Sequence, residues 1–158
     1  MTEPIDAAPV LNENLDGWCR ANGLRFTVAT AEQVGAEWTI AEHHLQAYGI
    51  VHGGVHCGVI ETLASVGAAV FASARGQTVV GLENHTSFIR AVRIGEKLAA
   101  EARPITRGKR TQVWEATVKN QAGEIVATGR VRLLCLEPGT VVAGEAPRGT
   151  VGKIPQGV

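Results

Sequence analysis

From Gly53 to Ala74 the chain reads "GGVHCGVIETLASVGAAVFASA" and carries one formally charged side chain, Glu61. A periodic apolar run of this length is a helix, and it is apolar on nearly every side. Such a helix has to be covered all round by the rest of the chain. Its small residues, Gly58, Ala64, Gly67, Ala68 and Ala69, let other elements come close. The lone carboxylate is costly to bury without a partner, so either it finds one or its position is used.

The flanks supply the cover. Leu24, Phe26 and Val28 alternate with polar residues, and so do Val34, Ala36, Trp38 and Ile40. Both runs have the period of half-buried strands. Beyond the helix, Val80, Leu82, Thr86 and Phe88 fall at even positions, as do Leu98, Ala100 and Ala102. Trp114, Ala116 and Val118 form a further run, and Ile125, Ala127, Val131 and Leu133 another. The connectors "TRGKR" and "NQAGE" are short and contain glycine, which suits hairpins and hence antiparallel pairing. The expected class is α+β: a curved antiparallel sheet wrapped around one central helix, with Trp38 and Trp114 in the core. Residues 1–10 are expected to be a flexible lead, 11–136 a single domain, and 137–158 a flexible Gly- and Pro-rich tail. "NENLDGWCRANG", from Asn12, is expected to be one short helix closed by Gly23.

Fifteen basic and fifteen acidic residues cancel, so overall charge points to neither nucleic acid nor an acidic membrane surface. The central segment is long enough to span a bilayer. His56 and Glu61 within it, its Gly/Ala content and the amphipathic strands on both sides point to a core helix instead, with no membrane partner. Cys19, Cys57 and Cys135 are odd in number and lack metal spacing, which suits a reducing cytoplasm. The N-terminus has no basic and apolar signal pattern.

The helix begins just after "HGG". Without side chains at Gly53 and Gly54, amides at the positive end of the helix are open to a carbonyl oxygen or an oxyanion. Ser65 lies four residues beyond Glu61, on the same helix face. Gln46, in the preceding loop, offers an amide. His52 and His56 are four apart, but no third ligand has matching spacing, so no metal is expected and His52 orders the loop or lines the pocket. Eight helical residues separate Gly53 from Glu61, a rise of about 12 Å. The two groups cannot easily grip one carbonyl from one helix. They can from two antiparallel copies, so a catalytic use of this motif implies a C2 dimer with sites across its interface.

"HGGVHCGVIETLAS", with Gln46 upstream and "SFIRAVRIGEKL" downstream, resembles the hotdog-fold acyl-CoA thioesterases. The resemblance is to the branch of the Arthrobacter-type 4-hydroxybenzoyl-CoA thioesterase and the PaaI-like enzymes, and it covers roughly residues 24–136. It implies hydrolysis of an acyl-CoA to free acid and CoA, with no cofactor. It makes Glu61 the catalytic carboxylate, as nucleophile or general base, and Gly53 the amide that polarises the carbonyl. Gln46 then positions the thioester, and Ser65 stands where relatives often have Thr to orient water. His52 and Gly54 would line the substrate site. Arg90 and the turn holding Arg107, Lys109 and Arg110 would anchor CoA phosphates. A homodimer, paired again into a homotetramer, is implied. Two alternatives stay open on the same fold: a non-catalytic acyl-CoA-binding or sensing module, and a hydratase or dehydratase.

Overall fold

The fold is given by a computed structural model that describes residues 5–15 and 17–147. The elements are α1 (Ala8–Glu13), α2 (Gly17–Ala21), β1 (Arg25–Ala29), β2 (Val34–Thr39), α3 (Gly53–Ser73), β3 (Thr78–Phe88), β4 (Lys97–Arg107), β5 (Thr111–Asn120) and β6 (Ile125–Leu136), with a 3-10 turn at Glu42–His44. The six strands form one antiparallel sheet in the order β1-β2-β4-β5-β6-β3. The sheet curls around α3, which touches every strand.

Period-two sequence explains the curl's inner face. On β4, Leu98, Ala100 and Ala102 are buried, and on β5, Trp114, Ala116 and Val118 are buried, while their neighbours face out. Gly67 decides how closely the layers meet. A Cβ there would overlap the ring of Trp114, which is 0% exposed. The Trp114 indole donates to Gln112 Oε1 at 3.0 Å, and Gln112 Nε2 donates to the Ala68 carbonyl at 3.1 Å. The sheet is thus pinned to the C-terminal half of α3 by a satisfied polar pair inside the core.

Three expectations change. Residues 5–10 are packed rather than free: Ala7 and Ala8 are buried, and Asp6 Oδ1 accepts from Ala8 N and Ala29 N. That carboxylate caps α1 and ties it to β1. In place of one helix from Asn12 there are two short ones, α1 beginning at Ala8 with Pro9 in its first turn. Residues 137–147 are exposed throughout and carry one tight turn, closed by paired bonds between Val142 and Glu145. Residues 1–4 and 148–158, the rest of the expected lead and tail, lie outside the described residues.

The third change is in β3. Pairing with β6 runs in register from Thr78 to Gly81, skips Leu82, and resumes at Glu83. This bulge switches the inward parity. Val79 and Gly81 face α3 before it, and Asn84, Thr86 and Phe88 after it. Leu82, read from its even position as an inward residue, is 48% exposed.

Candidate active site

α3 is not wrapped evenly. Val59, Ile60, Leu63 and Ala64 are fully buried, whereas Cys57, Gly58, Glu61, Thr62, Ser65 and Val66 are only half-buried. This second set is one stripe at helical spacing, so Glu61 and Ser65 share the helix face that the sheet leaves open. Trp18 of α2 lies over part of that stripe, where a Cβ on Gly58 would overlap its ring.

His52 caps the helix. Its Nδ1 accepts from Gly54 N at 2.8 Å. A Cβ on Gly54 would sit 2.9 Å from that nitrogen, so Gly54 allows the cap to form. The Gly54 N–H, expected to be open to substrate, is therefore occupied. Among the described residues the Gly53 N–H donates to nothing, and it is the free amide at the start of α3. The Phe88 ring stands over Gly53; a Cβ there would come within 2.7 Å of it.

Glu61 has found a partner. Its Oε2 accepts from Asn84 Nδ2 at 3.0 Å. Its Oε1 lies over Gly81, where a Cβ would overlap it. Asn84 Nδ2 also donates to the Cys57 carbonyl at 3.0 Å, and Asn84 Oδ1 accepts from Thr86 Oγ1 at 2.6 Å. Asn84, Gly81, Thr86 and Phe88 were all missed from sequence. The available signal was a glycine inside a strand, which often marks a bulge or a close approach.

The other expected residues divide. Gln46 sits in the tight turn leading to α3, where its Oε1 accepts from Tyr48 N at 2.8 Å. Arg90, just past Phe88, pairs with Glu124 at 3.3 Å. Arg107 is committed elsewhere: it donates to the Ala31 carbonyl and to Glu32, and its guanidinium stacks 4.7 Å from the Phe71 ring centroid. Arg75 stacks on Phe71 at 4.7 Å as well. Arg107, offered as a phosphate anchor, thus clamps the far end of α3 to the strands. Phe71 is ten residues beyond Glu61, about 15 Å along the helix. The basic turn of Arg107, Lys109 and Arg110 is therefore not brought to the Gly53 end of its own chain.

Residues 48–127 match the thioesterase superfamily. The chain belongs to that family. This thioesterase is 33% identical over 122 residues to the proofreading thioesterase EntH of Klebsiella pneumoniae, covering 77% of this chain and 82% of EntH. It is 32% identical over 120 residues to 1,4-dihydroxy-2-naphthoyl-CoA thioesterase 2 of Arabidopsis thaliana, covering 72% and 75%. Among solved structures, AziG of S. sahachiroi superposes with a TM-score of 0.74 at 38% identity, covering 78% of this chain and 98% of AziG. The fold is the hotdog fold, and thioester hydrolysis is the chemistry of the family.

Proposed function

We propose that this thioesterase hydrolyses acyl-CoA thioesters to free acid and CoA, with Glu61 as the reacting carboxylate and the Gly53 amide polarising the carbonyl. The observation that carries this is that one helix holds both an unoccupied N–H at Gly53 and a half-buried Glu61 on its open stripe. The EntH and Arabidopsis names support the class of substrate. Glu61 attacks the carbonyl to give a short-lived anhydride, or it takes the proton of an attacking water; both fit the geometry. Ser65, on the same face, orients that water. Gln46 positions the thioester with its amide nitrogen. Lys109 and Arg110 are exposed and available to CoA phosphates, as is Arg90 once it leaves Glu124. No cofactor or metal enters the reaction.

The working unit in this proposal is a homodimer with two shared sites, paired again as a dimer of dimers in the cytoplasm. α3 is one continuous helix, so the separation of about 12 Å between Gly53 and Glu61 stands. β3 is an edge strand beside Glu61, and it exposes Leu82, Phe88 and the adjoining Ile89. An apolar open edge is a natural surface for a second copy.

The test is a hydrolysis screen over aromatic, short, medium and long acyl-CoAs, run with wild type and Glu61→Gln. The variant keeps the shape and removes the charge. A fall of at least about 100-fold in kcat with folding intact is expected. Near-normal turnover by folded Glu61→Gln would reject the assignment.

A further inference from the structure

The bulge in β3 has a chemical consequence. Without it, Gly81 and Asn84 would point to opposite faces of the sheet, since they lie three residues apart. Skipping Leu82 turns both toward α3, where they meet the two oxygens of Glu61 separately. Asn84 holds Oε2. Gly81 leaves room for Oε1 and offers it no side chain.

The orientation of the Asn84 amide is determined by its neighbours. Thr86 Oγ1 donates to Asn84 Oδ1, so the oxygen end faces Thr86 and the NH2 end faces α3. Both amide hydrogens then have acceptors, Glu61 Oε2 and the Cys57 carbonyl. The Cys57 contact anchors the amide to the helix backbone one turn before Glu61. A flipped amide would place its oxygen against a carbonyl and a carboxylate, which is repulsive.

We infer that Asn84 is a positioning residue for Glu61. Oriented by Thr86 and Cys57, it holds Oε2 and presents Oε1, across the gap left by Gly81, as the oxygen that reacts. This rests on Glu61 being the reacting carboxylate. A carboxylate free to rotate would spend much of its time misdirected, and displacement by an ångström is enough to slow a reaction by about 100-fold.

The test measures kcat and KM separately on acyl-CoA, per mole of folded protein, for four variants beside Glu61→Gln. Asn84→Ala removes the donor. Asn84→Asp keeps the shape but replaces the donor with an acceptor, so it separates hydrogen bonding from packing. Thr86→Val releases the amide's orientation. Gly81→Ala removes no hydrogen bond but drives a methyl into Glu61 Oε1, the movable end of a flexible side chain, so the fold should persist while the carboxylate shifts. For Asn84→Ala, Asn84→Asp and Gly81→Ala, kcat should fall by about 10-fold or more with KM within about twofold, and Thr86→Val should show a smaller loss of the same kind. If Glu61→Gln is inactive while folded Asn84→Asp keeps wild-type kcat, or changes KM alone, Asn84 does not position the carboxylate. If Glu61→Gln itself stays active, the assignment of Glu61 fails first, and the two failures are distinct.

Discussion

His56 shows how the residue scale reaches beyond the site. It lies on α3 one turn after Gly53, 4% exposed, and its Nδ1 has no hydrogen-bond partner among the described residues. Burial pushes its pKa from 6.5 down to about 4. The folded ring therefore stays neutral where the unfolded ring has already taken a proton. Between about pH 6.5 and pH 4 the unfolded chain binds more protons, so stability falls as pH drops through that window. His56→Leu removes the titration. Relative to this variant, wild type should lose of order 2 kcal/mol more between pH 7 and pH 4.5, read as the shift in urea midpoint. Parallel curves for the two proteins would show that His56 is protonated without cost.

At the scale of elements, how closely α3 is packed depends on residues with no side chain. Gly67 admits Trp114, Gly58 admits Trp18, and Gly81 admits Glu61. These differ in what must give way. At Gly67 the obstacle is a fully buried indole that is also hydrogen-bonded to Gln112, so it cannot swing aside. Gly67→Ala should cost about 2 kcal/mol through overpacking, and lower the Tm by roughly 6 °C in calorimetry. A Tm equal to wild type would mean the layers can part at no cost. Gly53 is the contrasting case: its obstacle is the Phe88 ring, 58% exposed at the end of β3 rather than locked in the core. A side chain at Gly53 should therefore block the amide without unfolding the chain.

That contrast supplies the test at the scale of the whole molecule. Glu61→Ala and Gly53→Ala should each be inactive alone. In a shared-site dimer, a mixed pair contains one site with both defects and one with neither. Co-refolded in equal amounts with random pairing, about half the dimers are mixed, and activity should recover to about a quarter of wild type. Mixed dimers that demonstrably form yet stay inactive would place Gly53 and Glu61 in one site from one chain. Their separation of about 12 Å along a continuous helix argues against that.

The central helix, the antiparallel strands and the core tryptophans were legible from sequence, because periodicity and an unbroken apolar run are local signals that burial imposes on every residue. So was the candidate status of Gly53 and Glu61, which rests on one helix and its start. The partner of Glu61 was not legible. Asn84 reaches it only because β3 slips by one residue at Leu82, and a bulge is a compromise between two strands that neither strand's pattern records. In the sequence Gly54 and Arg107 look like open donors, yet both are taken, one by a ring two residues away and the other by Ala31 and Glu32, distant in sequence from β4. Sequence determined which groups could do chemistry on this chain. Tertiary structure decided which of them are free to, because a hydrogen bond already made to the protein is one that a substrate has to break.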